Sequence, residues 1–196
     1  MTTGNQDLKP EKSHYFSLNA EYRTQILAVS LTGFINRIND MVVKQNSDKG
    51  DVKGVQLNVS ANIFPGFNLS TNYAYTYART KSGEEWTPLE RSIRHSATIA
   101  ANYHHVWGRY GLDVNLNGRL QSKTYYPGYE DAPGYGVWNL YTTHTFDVAR
   151  WALLEPSIGI DNLFNRVDRR IDSATRKYAL YSPGRMLVVG LKVKFK

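Results

Sequence analysis

Cysteine is absent from the 196 residues of this sequence, which excludes disulfide bonds and thiolate-ligated metal sites. No run of about 18 apolar residues occurs, so no transmembrane helix is expected. Residues 1–5 provide neither the basic nor the apolar region of a secretory signal peptide. If the protein is exported, we therefore expect this chain to be a mature form or a fragment.

A strong excess of charge is also lacking. The 24 Lys and Arg residues against 17 Asp and Glu residues give a net charge of +7, and the basic residues are scattered among Asn, Ser and Thr. A nucleic-acid binder usually concentrates its positive charge on one face or helix, so we do not expect nucleic acid as a partner. Aromatic residues are abundant instead: 14 Tyr and 4 Trp occur in a chain whose mean hydropathy is only −0.48.

Apolar and polar residues alternate with a period of two, which is typical of β-strands. In the final strand one face is apolar throughout, and it carries Leu187, Val189, Leu191, Val193 and Phe195. No stretch shows a competing helical period of 3.6 residues. The alternation predicts about nine strands, over residues 15–23, 26–36, 54–64, 68–78, 96–103, 110–121, 138–146, 154–160 and 184–195.

The lengths of these strands and of their connections indicate a membrane protein. A tilted strand of about 9 to 11 residues crosses a bilayer core, whereas soluble strands average about 5 or 6 residues. Transmembrane barrels alternate short periplasmic turns with long outer loops. The short connections here are 24–25, 65–67, 104–109 and 147–150, and the long ones are 39–53, 79–94, 124–134 and 162–183. The expected fold class is therefore all-β, an antiparallel up-and-down transmembrane β-barrel portion with Tyr22, Tyr75, Tyr77 and Tyr103 at the membrane interfaces.

About nine strands do not close a bacterial barrel, because these barrels have an even number of strands. Unpaired strand edges in lipid cost several kcal/mol for each unsatisfied backbone group. We therefore expect additional strands, either from sequence outside this chain or from partners. A soluble β-sandwich remains an alternative, since an apolar strand face can also pack against a second protein layer.

Several short motifs, taken in order, resemble TonB-dependent outer-membrane receptors. They are Asn5-Gln-Asp-Leu-Lys-Pro-Glu-Lys12, Ser30-Leu-Thr-Gly-Phe-Ile-Asn-Arg-Ile-Asn-Asp40, Gly54-Val-Gln-Leu57, Asp161-Asn-Leu-Phe-Asn165 and Tyr181-Ser-Pro-Gly-Arg185. The resemblance implies a barrel of about 22 strands that encloses an N-terminal plug. Residues 1–196 would form the C-terminal portion of that barrel, without a plug domain, in the bacterial outer membrane. The implied partners are outer-membrane lipid, the missing N-terminal barrel strands and plug, and the TonB system acting through that plug.

The implied function is uptake of a large, scarce ligand such as an iron chelate, haem, cobalamin or an oligosaccharide. The alternative is a passive structural or pore-forming barrel without TonB-coupled transport. Aromatic and basic groups at the mouth of a barrel can bind such a ligand. The candidate ligand-binding residues in the outer loops are therefore Trp86, Arg91, Tyr125, Tyr126 and Tyr129. Packing at the membrane interface is an equally ordinary role for such aromatic residues.

No enzyme, bound cofactor or metal site is expected. No spacing pairs a Ser nucleophile with a His base, and the acidic pair Glu130-Asp131 offers too few oxygen ligands for a hard cation. His104 and His105 fall in a predicted turn and His144 shares a face with Leu140 and Phe146, which favours packed or solvated imidazoles over haem ligands.

The last strand has a second possible role. Leu191, Val193 and Phe195 resemble the C-terminal signal that the outer-membrane barrel assembly machinery recognises in its clients. The simpler interpretation is that these residues only face lipid, and both interpretations can hold together.

Overall fold

The computed structural model describes residues 10–43, 45–46, 49–128, 130–166, 169–172, 177–180 and 183–196. Within these ranges the ordered elements are all β-strands. The described residues therefore contain no helix that is long and apolar enough to cross a membrane. Nine strands follow one another as neighbours in one antiparallel sheet. They are β1 (Lys12–Arg23), β2 (Leu27–Asn39), β5 (Lys49–Phe64), β6 (Phe67–Ser82), β8 (His95–Trp107), β9 (Tyr110–Gln121), β10 (Tyr135–Ala149), β11 (Ala152–Asp161) and β14 (Met186–Phe195).

The expected strand count and up-and-down order are confirmed, but several predicted boundaries are wrong. β5 begins at Lys49 and β6 continues to Ser82, so parts of two predicted long loops are strand. Five short strands complete the set, namely β3 (Val42–Val43), β4 (Gln45–Asn46), β7 (Glu85–Pro88), β12 (Arg169–Asp172) and β13 (Lys177–Leu180). Of these, β7 joins the main sheet beside β6 and makes it ten-stranded. Alternating hydrophobicity marks only the part of a strand that meets an apolar surface, and so it misses polar extensions of the same ladder.

The sheet is a single layer with two chemically distinct faces. Residues directly opposite each other in a ladder share a face, and the register aligns Leu18, Gly33, Val55 and Tyr75 across β1, β2, β5 and β6. Apolar residues also share this face at the other side of the sheet, where Ile158 of β11 lies opposite Val189 of β14. We call this apolar side the outer face. The opposite side, which we call the inner face, carries Asn, Ser, Thr and Gln.

The outer face is not covered by a second layer of protein. Leu18 is 71% exposed and Val189 is 72% exposed, and no large side chain among the described residues is fully buried. A soluble β-sandwich would bury these rows in a core about 10 Å thick. The β-sandwich alternative is therefore wrong for this chain.

The two ends of the sheet differ in their connections. The turn end carries the short links after β1, β5, β8 and β10, and the loop end carries the long ones. Pro65-Gly66 forms the tight turn predicted between β5 and β6. Gly66 has a φ of 85°, and a Cβ at this position would lie 2.1 Å from the carbonyl oxygen of His104, so only glycine fits there.

An aromatic row runs along the sheet at the turn end. Ring centroids lie 4.3 Å apart for His105 and Trp107, 5.9 Å apart for Trp107 and Tyr110, and 5.2 Å apart for Tyr110 and Phe146. Tyr103 extends the row at 6.2 Å from His105. Such a row is typical of the aromatic girdle at a membrane interface.

The sheet has two outermost strands, β1 and β14, whose far edges are unpaired among the described residues. Because nine strands alternate in direction from β1 to β14, both outermost strands run from the loop end to the turn end.

Candidate ligand-facing wall and mouth

A connected row of asparagine side chains crosses the inner face from β8 to β10. Nδ2 of Asn115 donates to Oδ1 of Asn102, Nδ2 of Asn117 donates to Oδ1 of Asn115 across 2.9 Å, and Nδ2 of Asn139 donates to Oδ1 of Asn117 across 2.9 Å. The side-chain amides of Asn115 and Asn117 each serve as donor and acceptor within the row, so they pair their polar groups with one another. The wall is therefore polar yet ordered.

The row ends at Asn162, which organises the start of the long loop after β11. The backbone N–H of Asn162 donates to Oδ1 of Asn139 across 2.9 Å. Asn162 is only 4% exposed, and its Nδ2 donates to the carbonyl oxygens of Arg166 and Pro183. A φ of 51° at Asn162 turns the chain sharply, a conformation that Asn tolerates better than most residues. One buried side chain thus holds both ends of this loop at the inner wall.

Two outer loops are joined at the loop end of β6, β8 and β9. The N–H of Arg91 donates to the carbonyl of Tyr125 across 2.7 Å, and the N–H of Tyr125 donates to the carbonyl of Ser92 across 3.1 Å. Thr124 pairs with both Ile93 and Ala132 as isolated bridges, and Thr124 and Ala132 are buried. The loops therefore form one structural unit, which we call the mouth.

The mouth encloses a cavity of about 450 Å³ whose walls combine basic, aromatic and hydroxyl groups. Its lining includes Arg94, His95, Ser122, Lys123, Tyr125 and Asp131. Nζ of Lys123 lies 2.7 Å from Oδ2 of Asp131. The hydrogen bond from Lys123, with a second from the N–H of Tyr126, holds the pKa of the Asp131 carboxyl below its ordinary value.

Below the mouth, a groove of about 310 Å³ runs along the inner face. Gln56, Asn58, Asn72, Ser96, Thr98, Arg119 and Gln121 supply polar groups to its lining. Nη2 of Arg119 donates to the hydroxyl of Tyr135 across 3.0 Å, which holds the guanidinium against the wall. A ligand that enters through the mouth would meet this polar surface.

The structure brings together only part of the predicted ligand-binding set. Arg91, Tyr125 and Tyr126 meet in the mouth through the loop contacts described above. Trp86 lies apart from them, because it pairs with Lys81 in the β6–β7 ladder and its ring stacks under the guanidinium of Arg79 at 4.3 Å. Tyr129 lies outside the described residues. A ligand-binding role for each of these residues stays a prediction.

The three residues of the predicted assembly signal share the outer face of β14. Leu191 is 69% exposed and Phe195 is 75% exposed, and the Phe195 ring stacks on Trp151 at a centroid distance of 5.9 Å. Their role in assembly is not decided by this position, which also suits contact with lipid.

The sequence reasoning missed the asparagine row and the role of Asn162. Period two places Asn115, Asn117 and Asn139 on the polar side of their strands, but it does not give the register that joins them. Asp161-Asn162 is the only local signal, since Asn and Asp are enriched where a strand ends in a left-handed turn.

A single antiparallel layer with an apolar outer face, a polar inner face, an aromatic girdle and alternating short and long connections is the wall of a transmembrane β-barrel. A family model for the β-barrel of TonB-dependent receptor-like proteins matches residues 1–163. The chain therefore belongs to the TonB-dependent receptor β-barrel family, whose members are outer-membrane receptors and transporters and not enzymes.

Known relatives agree with this assignment. The chain is 26% identical over 221 aligned positions to an iron-regulated outer membrane virulence protein of Vibrio cholerae, covering 98% of this chain but 32% of that protein. It resembles the structure of the ferric citrate transporter FecA with a TM-score of 0.75 at 19% identity, covering 94% of this chain and 32% of FecA. The ferric yersiniabactin uptake receptor FyuA of Yersinia pestis gives a TM-score of 0.70 at 20% identity, covering 98% of this chain and 31% of FyuA. The chain thus spans about a third of the length of these relatives.

Proposed function

We propose that this chain forms the C-terminal portion of the barrel of a receptor that takes up a ferric chelate across the outer membrane. The observation that carries the proposal is the polar inner wall, which leads from a mouth lined by Arg94, Lys123 and Tyr125 to a groove that contains Arg119. Basic groups beside aromatic rings suit an anionic chelate with a planar or aromatic part. The V. cholerae relative is iron-regulated, and FecA and FyuA carry ferric citrate and ferric yersiniabactin.

Completion of the barrel is part of this proposal. In the part of the chain that the structure describes, strands β1 and β14 have unpaired far edges, and additional N-terminal strands would satisfy them. A plug inside the completed barrel would close the lumen and connect it to the TonB system, which would supply the energy for uptake. Outer-membrane lipid would cover the outer face, and the barrel assembly machinery would insert the chain.

The test is uptake of ferric citrate labelled with radioactive iron, in bacteria that lack their own receptor for it and express this protein with whatever strands complete it. We expect uptake that depends on TonB and that falls about tenfold when Arg119 and Lys123 are both replaced by Ala, because two cations that face an anionic ligand are lost. Replacing Arg23 and Arg150 at the turn end serves as the matched control and should leave uptake unchanged.

Other outcomes identify the alternatives. TonB-dependent uptake of ferric yersiniabactin but not of ferric citrate would retain the receptor and change the chelate. Leakage of small solutes that is independent of TonB, without saturable uptake of either chelate, would contradict the receptor and indicate a passive barrel.

A further inference from the structure

An ion pair lies within the lining of the mouth cavity. Nζ of Lys123 lies 2.7 Å from Oδ2 of Asp131, and both residues contribute to the cavity wall. The same wall carries a second cation, Arg94, whose guanidinium lies 5.3 Å from the centre of the Tyr77 ring. Among the described residues that line this cavity, Asp131 is the only carboxylate. The cavity thus presents two cations, and a carboxylate of the protein itself is bound to one of them.

The loop backbone fixes the carboxylate of this pair. Asp131 directly precedes Ala132, which exchanges two backbone hydrogen bonds of 2.9 Å and 3.0 Å with Thr124. Ala132 is only 4% exposed. The N–H of Tyr126 also donates to Oδ1 of Asp131 across 3.4 Å. The position of Asp131 is therefore set by the loop that carries it, and it stays set when Lys123 turns to another partner.

The ammonium group is the part of the pair that can change partner. The Lys123 side chain is 72% exposed, whereas that of Asp131 is 27% exposed, and a Lys ammonium sits on a flexible aliphatic stem. An exposed ion pair contributes little to stability, because water screens the charges and the long side chain loses conformational freedom. Exchange of Asp131 for a carboxylate of a ligand therefore costs little.

The composition of the cavity wall favours a ligand that carries several carboxylates. Hydroxyl groups line it beside the two cations, from Ser92, Ser122 and Tyr125. Hydroxyl groups can donate hydrogen bonds to carboxylate oxygens. A ligand with a single carboxylate that binds Lys123 must displace Asp131 and gains one charged contact. A ligand with several carboxylates can contact Arg94 as well, and this second charge-assisted contact offsets the loss of the Lys123–Asp131 pair.

We propose that Asp131 is an internal competitor for Lys123, which a carboxylate of the ligand must displace, so that the mouth selects a polycarboxylate chelate. This inference rests on the proposed uptake of an anionic ferric chelate and names the chemical class of that chelate. Asp131 is thus a specificity-determining residue that acts through Lys123. An anion that does not displace Asp131 has only Arg94 as a charged partner in this cavity and binds more weakly.

The experiment is isothermal titration calorimetry of the whole chain, together with the strands that complete the barrel, in detergent micelles. The probes are citrate, a tricarboxylate, and trimethyl citrate, whose methyl esters remove the charge from the same skeleton. We expect Asp131→Asn to bind citrate about threefold to tenfold more tightly than the wild type, because Lys123 is released. Binding of trimethyl citrate should not change. The Asn side chain keeps an oxygen that accepts from the Tyr126 N–H, so hydrogen exchange at Ala132 should match the wild type.

A double-mutant cycle separates competition for Lys123 from simple repulsion of the ligand. If Asp131 acts by holding Lys123, Asp131→Asn should tighten citrate binding by less than about twofold in a Lys123→Gln background. Glu130→Gln serves as the matched control, because it removes the same charge from the neighbouring, exposed residue. This control should change citrate binding by less than about twofold, since water and salt screen an exposed charge.

Three results would overturn the inference. They are unchanged citrate binding by Asp131→Asn, an equal gain with and without Lys123, and an equal gain for citrate and trimethyl citrate. Absence of saturable citrate binding by the wild type and Asp131→Asn alike also rejects it.

The uptake assay for ferric citrate distinguishes this inference from the proposed function. TonB-dependent uptake, with no effect of Asp131→Asn on citrate binding, would retain the receptor and reject the competitor. Citrate binding that Asp131→Asn tightens only in the presence of Lys123, without TonB-dependent uptake, would retain the competitor and reject the receptor.

Discussion

The backbone N–H of Asn162 donates to the side-chain oxygen of Asn139, which lies 23 residues earlier in the chain, across 2.9 Å. This bond joins the start of the loop after β11 to the asparagine row of the inner wall. Because Asn162 also bonds to Arg166 and Pro183, a single contact couples the order of the wall to the position of the loop.

Asn139→Ala should release this junction. The N–H of Asn162 is left without its partner in a buried position, which costs about 1 to 3 kcal/mol. Hydrogen exchange at the Asn162 amide should therefore speed up by about tenfold or more. Asn72→Ala, which removes a more exposed bond to Thr98, serves as the control, and equal effects of the two changes would contradict the role of Asn162 as a junction.

Leu57 and Asn58 are adjacent in the middle of β5 and face opposite sides of the wall. Leu57→Arg places a charge in lipid and should destabilise the barrel by about 2 to 4 kcal/mol near the bilayer midplane, whereas Asn58→Arg faces the lumen and should cost far less. Urea unfolding in lipid vesicles measures both free energies. Similar costs for the two variants would mean that the faces are wrongly assigned.

The Lys123–Asp131 pair predicts a defined response of the mouth to pH. The pKa of Asp131 is lower in the folded protein than its ordinary value of 3.8, so the pair contributes its full stability above that value and loses it as the pH falls through the lowered pKa. Between pH 7 and pH 5 this ion pair should not change. Lys123→Gln removes the largest cause of the shift and should raise the pKa of Asp131, measured by the carboxyl carbon resonance during titration. Lys81→Gln is the control, and the prediction fails if both variants titrate alike.

Phe195→Ala tests whether the barrel assembly machinery recognises the end of β14. The Phe195 side chain is 75% exposed on the outer face, so its loss removes contacts with lipid, as Leu187→Ala does, and no defect of a packed protein core is expected. We expect instead a lower yield of protease-resistant barrel in outer membranes. Leu187→Ala alters the same face at the other end of β14 and should assemble normally; a lower yield of both variants would favour lipid contact as the sole role of this face.

The alternation of residue types was enough to predict all nine main strands and their order. Lipid and lumen require opposite polarity of successive side chains. The alternation of apolar Leu57, Val59 and Ala61 with polar Asn58 and Ser60 is therefore visible in the sequence. This alternation of polarity ends where the strand leaves the membrane. Residues 79–82 of β6 and 49–53 of β5 pair beyond that point, where polar residues serve either as strand or as loop.

The sequence predicts less of the candidate site than of the strands. The chemistry of Arg91 and Tyr125 predicts ligand contact, but their proximity depends on two loops that lie 34 positions apart in the chain and pair through backbone hydrogen bonds. The sequence predicts that Trp86 lies in the same group of loops, whereas the β6–β7 ladder places its ring against Arg79. Register and loop pairing are set by tertiary contacts, which a period of two does not encode.

The parallel course of β1 and β14 limits how a closed cylinder can arise. Copies of this chain that enter the bilayer in the same orientation would bring a descending strand against a descending strand, and the junction would be parallel in a structure whose other ladders are antiparallel. Self-association of identical sheets therefore does not give the uniform ladder of bacterial barrels. An odd number of further strands, beginning and ending with an ascending one, restores it, and this requirement favours completion by different sequence over a ring of copies.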